Sequence, residues 1–452
     1  MVGQGTLGGA LVSQGVLDEG ISGEFAPGGE DEMNYGEVPM APLIFQDDLL
    51  HAAQGIKEAR SANQKTDRVV KRLNLELNED KTFCIAIGSK KQISQVRAEL
   101  EKEPLFCGSF ETKLKQQFKW LGQILSSDGL AESVAATVES REGKIRGACL
   151  EIFQIINDWR SQAVGGMDTA LMLWEVCCVP SLLHGAETWT EISKQTEKQL
   201  NQCQNWFVRS ILRTGPGTPL PSLSWDFSLL DMGLRVKMQK ILFVLHLRSL
   251  PDGSLAKQIY IEQKQKKWPG LATETEIICK YLNIPNCNET DMNKSLYKKT
   301  VLEACHKENE KCLRLQASGK CERLKYEDYG KKEYISKKNI SSVRNQFRTR
   351  FGMQFFAGNY SRDKRFSKTD WLCKCKESRE NEAHLVSGKC SIYGDLTEKY
   401  SDLSNDDNLV GLFTEILARR EELDRVITPV GGGITNVGAN PGRETGISQS
   451  RD

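Results

Sequence analysis

The chain has 452 residues, of which 39% are hydrophobic and 27% are charged. This composition is typical of a soluble chain of two to three domains, and it excludes collagen-like, wholly disordered and membrane-embedded proteins. No run of about eighteen apolar residues is present, so we expect no membrane partner. Lys and Arg (61) nearly balance Asp and Glu (60), so the net charge of +1 indicates no polyanionic partner by itself.

The first part of the chain alternates short strands with helices. Residues 40–51 form two apolar stretches around an acidic turn, and the apolar spacing over 56–73 is helical. Further strands are predicted at 82–87, 105–111 and 116–125, with a helix at about 91–102 before the second of them. Strands joined by hairpins, with helices packed on one face, predict an α+β fold built on an antiparallel sheet.

From about residue 130 the apolar period becomes helical. The predicted helical segments are 130–162, 167–190, 194–213 and 231–249. The stretch 257–350 then contains 21 basic and 12 acidic residues. Such a surplus indicates either a solvated helical surface or a surface for an acidic partner. One more helix is predicted at 407–424, and the Gly-, Asn- and Ser-rich residues after it are predicted to be disordered.

The cysteines indicate a metal site. Fourteen Cys in a chain of this length are too few for a disulfide scaffold, and we expect reduced thiols. Three thiolates and one imidazole can complete a tetrahedral zinc site, and the candidate ligands are Cys373, Cys375, His384 and Cys390. Only one residue separates the first two cysteines, which is tighter than the usual spacing. The alternative is a set of thiols scattered near one histidine.

The acidic turn suggests a second site. Asp47 and Asp48 are adjacent carboxylates, and each raises the pKa of the other unless a cation lies between them. Apolar residues on both sides fix this turn at the edge of a core, which suits hard oxygen ligands for a divalent metal. Taken alone, an Asp-Asp turn is equally consistent with ordinary hairpin chemistry.

The order of four short elements carries a family resemblance. They are Gln4-Gly5, Phe45-Gln46-Asp47-Asp48, Leu77-Asn78-Glu79-Asp80-Lys81 and Phe118-Lys119-Trp120-Leu121-Gly122. This series resembles motifs B, C, D and E of the reverse transcriptase palm, and it is most similar to the polymerases of non-LTR retrotransposons. Leu183-His184-Gly185-Ala186-Glu187-Thr188-Trp189 resembles an element of their thumb, and the Cys/His segment resembles the zinc knuckle that follows it.

The resemblance implies an RNA-directed DNA polymerase that uses two metal ions, Mg²⁺ or Mn²⁺, in addition to the Zn²⁺ of the knuckle. The implied partners are an RNA template, a DNA primer and deoxynucleoside triphosphates, with no implied oligomeric state. Asp47 would bind the catalytic metal, with Asp48 beside it and Lys81 near the leaving pyrophosphate. The implied template-, substrate- and primer-binding residues are Gln4, Gly5, Phe45, Trp120 and Gly122.

The chain departs from the family at motif A, which normally precedes motif B and supplies the first catalytic aspartate. We find no match to it, so we expect a fragment that is inactive alone. The alternative is a non-enzymatic nucleic-acid-binding remnant of such an element. A nuclear or cytoplasmic location is implied only by the resemblance to this family.

The expected organisation has six parts. These are a partial palm at 1–126, an all-helical thumb at 127–254, a basic helical segment at 255–362, a CCHC-type zinc knuckle at 363–396, a helix at 397–426 and a disordered tail at 427–452.

Overall fold

A computed structural model shows a mostly helical chain with small sheets, which agrees with the α+β class. The chain divides into two compact units, residues 1–351 and 352–452, and each is described by itself. The structure describes residues 34–35, 38–39, 43–45, 48–157, 166–189, 192–214, 218–317, 329–336, 340, 343–344, 346–347, 373–378, 382–400 and 406–427. Gln4, Gly5 and Asp47, together with 428–452 of the predicted tail, lie outside the described residues.

The described strands of the first unit form five two-stranded sheets. The strands are β1 (Asn34–Tyr35), β2 (Val38–Pro39), β3 (Leu43–Phe45), β4 (Asp48–Leu50), β5 (Phe83–Cys84), β6 (Phe106–Cys107), β7 (Phe110–Glu111), β8 (Lys113–Leu114), β9 (Gln117–Trp120) and β10 (Gln123–Ser126). Four pairs are antiparallel hairpins, β1–β2, β3–β4, β6–β7 and β9–β10. The fifth, β5 with β8, is parallel, which the expected antiparallel sheet does not include.

Two segments that the sequence predicts as single strands fold back on themselves. Residues 105–111 and 116–125 each form a hairpin, because their backbones turn through residues with positive φ. Gly108 has a φ of 63° in the first. A strand pattern of apolar residues does not reveal such a reversal when the two halves are only a few residues long.

Eleven helices with defined bounds lie in the described part of the first unit, which also has helical residues at 340, 343–344 and 346–347. They are α1 (Ile56–Arg72), α2 (Lys90–Lys102), α3 (Leu130–Asn157), α4 (Met167–Leu173), α5 (Val179–Leu182), α6 (Lys194–Leu212), α7 (Leu220–Trp225), α8 (Met232–Ser249), α9 (Leu255–Lys266), α10 (Leu271–Leu282) and α11 (Lys294–Ala317). A π-helical turn, Trp174–Cys178, joins α4 to α5. Ser89 begins α2 with a capping box closed by Gln92, so the sequence itself defines this start.

Aromatic rings pack α3, α6 and the π-helical turn against one another. The rings of Trp174 and Phe207 stack with centroids 4.6 Å apart, and Phe153 stacks on Phe207 at 5.8 Å. Trp174 and Phe207 are fully buried. Offset stacking of this kind adds to the free energy gained by burying such large side chains.

The helices α8 to α11 share one buried cluster. The domain boundary that the sequence predicts after residue 254 therefore falls at a turn inside a continuous core. Ile241 and Val244 of α8 pack in this cluster with Ile278 of α10 and Val301 of α11. Pro251-Asp252-Gly253 lies between two helices, α8 and α9, that pack in this cluster.

The second unit contains α12 (Glu382–Val386), α13 (Gly394–Lys399) and α14 (Asp406–Ile427). Leu412, Phe413 and Ile416 of α14 are buried against Cys373 and Cys390. The helix that the sequence separates from the knuckle therefore shares its core. In neither unit is any described helix long and apolar enough to cross a membrane.

Candidate functional site

The acidic turn is a hairpin, as the sequence predicts. β3 and β4 pair so that Phe45 lies opposite Asp48, and two residues connect the strands. Asp47 is one of those two and lies outside the described residues, and the side chains of Phe45 and Asp48 are likewise not described. The described strands therefore flank the acidic tip and do not define a metal site there.

Lys81 lies on a short 3₁₀ turn, Glu79–Lys81, which Asn78 caps. The Asn78 side-chain oxygen accepts a hydrogen bond from the Lys81 backbone N–H at 3.3 Å. The turn leads directly into β5, and the Lys81 side chain is exposed. β5 falls within the strand predicted at 82–87, while the role of the lysine remains a prediction.

The Trp-Leu-Gly element forms the reversal of the β9–β10 hairpin. Trp120 pairs with Gln123, and the two residues between them have positive φ, 45° at Leu121 and 81° at Gly122. Positive φ at both loop positions matches the right-handed twist of the strands, which is why glycine is favoured there. Trp120 is half-buried and Leu121 is exposed, so the tip of the hairpin is accessible.

Arg141 joins this hairpin to the loop at 183–189, and the sequence analysis did not identify it. Its guanidinium donates to the carbonyl oxygens of Gly122 at 2.8 Å, Leu182 at 3.0 Å and His184 at 2.7 Å. Only 8% of Arg141 is exposed. Burial lowers the pKa of this guanidinium, and the Glu187 carboxylate acts in the opposite direction. One buried cation thus connects two elements more than fifty residues apart.

Gln123 and Trp189 complete the junction. The Gln123 amide donates to the His184 carbonyl at 2.5 Å and accepts from the Trp189 indole N–H at 2.9 Å. Gly185 has a φ of 71°, and a Cβ there would collide with the Gln123 amide. The glycine in the loop is therefore required both by the backbone conformation and by the close approach of the hairpin.

Four potential metal ligands converge in the second unit. The ligand atoms of Cys373, Cys375, His384 and Cys390 all lie within 4.8 Å of one another. Cys373 Sγ and Cys390 Sγ are 3.6 Å apart, and Cys375 Sγ is 3.3 Å from His384 Nε2. A tetrahedral zinc ion places two sulfurs about 3.8 Å apart, and a sulfur and a nitrogen about 3.5 Å apart. The two distances match the edges of such a tetrahedron.

The local chain geometry forms this cluster. The Cys373 N–H donates to the Ser378 carbonyl at 2.9 Å, and the Lys376 N–H donates to the Cys373 carbonyl at 2.8 Å, so the chain turns tightly between them. The Glu377 N–H donates to Cys375 Sγ at 3.5 Å. This tight turn brings both sulfurs to one side despite the single intervening residue.

Burial distinguishes this cluster from scattered thiols. Cys373 and Cys390 are 1% and 3% exposed, whereas Cys375 and His384 are half-buried. Burial raises the pKa of the Cys373 thiol, so a cation is needed to hold it as a thiolate. Across the described ranges, this is the one group of at least three His, Cys, Asp or Glu side chains close enough to hold an ion. The cluster can bind a metal such as zinc.

Comparison with known proteins adds no relative: no protein-family model, curated protein or solved structure matches this chain.

Proposed function

We propose that the chain carries palm motifs B to E, the thumb and the zinc knuckle of a non-LTR retrotransposon reverse transcriptase. The observation that carries this proposal is the junction at Arg141. It joins the Trp-Leu-Gly hairpin to the Gly-Ala-Glu-Thr-Trp loop, the two elements that resemble the primer grip and the thumb. Direct contact between these elements is what a primer-binding surface shared by palm and thumb requires. The proposal implies a nuclear or cytoplasmic location.

In this proposal each element has a role in RNA-directed DNA synthesis. Asp47, with Asp48 beside it, would hold Mg²⁺ or Mn²⁺, which stabilises the attacking and leaving oxygens in nucleotidyl transfer. Lys81 would supply positive charge beside the leaving pyrophosphate. The half-buried Trp120 and Gly122, beside the exposed Leu121 at the tip of the hairpin, would support the primer. Gln4-Gly5 and Phe45 would contact the template and the incoming nucleotide.

Zinc would have a structural role. The four ligands Cys373, Cys375, His384 and Cys390 fill a tetrahedral coordination shell, so no open position remains for a substrate. The ion would hold together a core that includes its own ligands. Lys374, Lys376 and Lys389 lie exposed on the loops that carry those ligands, and their charges suit contact with phosphates.

The test is binding of a labelled RNA template annealed to a DNA primer, measured by fluorescence anisotropy with the zinc-loaded full chain. We expect affinity tighter than the ~1 µM of nonspecific binding, and weaker binding to duplex DNA of equal length. Trp120→Ala is expected to weaken heteroduplex binding about tenfold, because the half-buried ring supports the accessible hairpin tip. The matched control Trp206→Ala, which changes a half-buried Trp on α6, should stay within about twofold.

Equal affinity for both duplexes together with an unaffected Trp120→Ala variant would overturn the polymerase proposal.

A second candidate is a nucleic-acid-binding protein without polymerisation, and the Cys/His cluster favours it. That cluster is complete within the described residues, and three exposed lysines surround it. For this function Cys375→Ser should reduce RNA affinity, whereas Asp47→Ala should leave it unchanged. For the polymerase function, Asp47→Ala should abolish primer extension when this chain is joined to a segment that supplies motif A.

A further inference from the structure

A basic cavity lies between α8, α9 and the loop that follows α10. It has a volume of about 510 Å³, and its lining includes Arg248, Lys257, Tyr260, Lys264 and Asn288. None of the described residues that line it is acidic. A cavity of this size can admit a phosphate with its attached sugar. No element of the family resemblance falls on these residues.

Neutral acceptors hold most of the cationic groups in place. Arg248 donates to the carbonyl oxygens of Cys287 at 2.7 Å and Thr290 at 3.0 Å. Lys264 Nζ donates to the Asn288 carbonyl at 3.0 Å. Because these acceptors are backbone dipoles, they orient the two head groups without cancelling their charges. Each head group retains further N–H donors for a ligand.

The third cation is held partly by a carboxylate. Lys257 Nζ donates to the Leu250 carbonyl at 2.8 Å and to Asp252 Oδ1 at 2.7 Å. Three cations and this one carboxylate leave two net positive charges at the cavity. Glu262 lies on the same helix, but it pairs with Lys266 at 2.8 Å.

The neutral side of the cavity is fixed by a buried hydrogen bond. Tyr260 donates from its hydroxyl to Asn288 Oδ1 at 2.6 Å, and Asn288 Nδ2 donates to the Ala272 carbonyl at 3.0 Å. Both side chains are almost fully buried. Asn288 thus anchors the loop whose carbonyls orient Arg248 and Lys264, so the positions of the cations are set before any ligand binds.

We propose that this cavity binds a phosphate of a nucleic-acid strand. The chemistry is recognition of an anion by a preorganised guanidinium and two ammonium groups, and the proposal rests on nucleic-acid binding by this chain. The cavity gives the basic segment at 255–362 a defined contact point.

The experiment measures heteroduplex affinity of the full chain as a function of salt. Lys264→Glu places a negative charge at the cavity, and it should weaken binding about tenfold and make the slope of log affinity against log salt shallower by about one. Lys264→Arg should retain affinity within about twofold. Lys298→Glu, the same change at an exposed position of α11, is the matched control and should remain within about threefold of wild type. Melting curves of the variants establish that each is folded.

Three results would overturn the proposal. Wild-type binding with an equal loss in Lys264→Glu and Lys298→Glu would show that the cavity has no special role, while the proposed function would stand. If the wild-type chain does not bind the heteroduplex, both the cavity proposal and the proposed function are overturned. A third result would assign the cavity to free polyphosphate instead of a strand. In that case inorganic tripolyphosphate binds wild type but not Lys264→Glu by calorimetry, while the two proteins bind the heteroduplex equally.

Discussion

The helical region at 130–317 and the Cys/His region at 373–427 are stabilised by different chemistry. The first buries large aromatic and aliphatic side chains, including Trp174, Trp225 and Phe207. The second has a small core in which two of the buried residues, Cys373 and Cys390, are themselves candidate metal ligands. A small core seldom supplies enough stability alone, so structural metals replace apolar burial in small domains. We therefore expect the first region to fold by burial of apolar side chains and the second to depend on a bound cation.

Removal of metal should produce the largest effect and should affect one region only. Zinc binding contributes about 10 kcal/mol or more to the folding of small zinc domains, because the unfolded chain has no preformed site for the ion. A strong chelator should therefore abolish hydrogen-exchange protection of α14 in the full chain and leave that of α8 intact. Mass spectrometry of the exchanged peptides measures both in one sample. Retained protection of α14 after chelation would show that the Cys/His region does not depend on a metal ion.

Truncation of a buried ring should have the converse effect. Trp174→Ala leaves a cavity beside Phe207, and we expect a loss of about 3 to 5 kcal/mol in the free energy of unfolding of the helical region. Denaturant titration monitored by far-UV circular dichroism measures the loss. Trp206→Ala, which changes a half-buried ring, should cost much less. Zinc content should be unchanged in both variants, and its loss in Trp174→Ala would contradict the independence of the two regions.

Arg141 tests whether the helical region also depends on a polar link. Arg141→Met removes a donor from three carbonyl oxygens, of which that of His184 still accepts from the Gln123 amide, and we expect a loss of about 2 to 4 kcal/mol. Arg146→Met is the matched control on the same helix, because Arg146 is exposed and contacts two partly exposed groups, the Glu142 carboxylate four residues earlier and the Trp206 ring. Its loss should stay below about 1 kcal/mol. Equal losses in the two variants would show that the junction contributes no more than a surface ion pair.

The smallest expected effect concerns pH. Burial, reinforced by the charge of Lys65, lowers the pKa of His51 below its ordinary value of 6.5. The folded state then binds a proton at His51 less readily than the unfolded state. The contribution of neutral His51 to the free energy of unfolding is therefore fully present above pH 6.5 and is lost as the pH falls below it. The loss in melting temperature between pH 7.5 and pH 5.5 should be smaller in His51→Gln than in wild type. A loss at least as large in the variant would exclude this contribution.

The sequence predicts most of the helices and the composition of the candidate metal cluster, because both depend on local spacing. Helical periodicity indicates α1, α2, α6 and α8 within a few residues. The four cysteine and histidine ligands lie within eighteen consecutive residues, so a short chain segment brings them together. The single residue between Cys373 and Cys375 weakens the pattern, and only the turn at Lys376, with a φ of 63°, reveals how both sulfurs reach one side.

Long-range contacts could not be predicted in the same way. Arg141 lies between Val138 and Ile145 on the buried stripe of α3, so helical periodicity could have indicated a buried arginine there. Its acceptors are backbone carbonyls of distant turns, which leave no trace in residue types. The shared core of α14 and the Cys/His cluster is equally invisible to local patterns, as is the parallel pairing of β5 with β8.

The most direct test of the account is a hydrogen-exchange footprint of the zinc-loaded full chain with and without the RNA–DNA primer–template. We predict protection of the β9–β10 hairpin and of α9, since the proposal assigns the primer to the first and a phosphate contact to the second. Protection confined to the cysteine and histidine region at 373–400 would contradict the polymerase reading and would favour a nucleic-acid-binding protein without polymerisation.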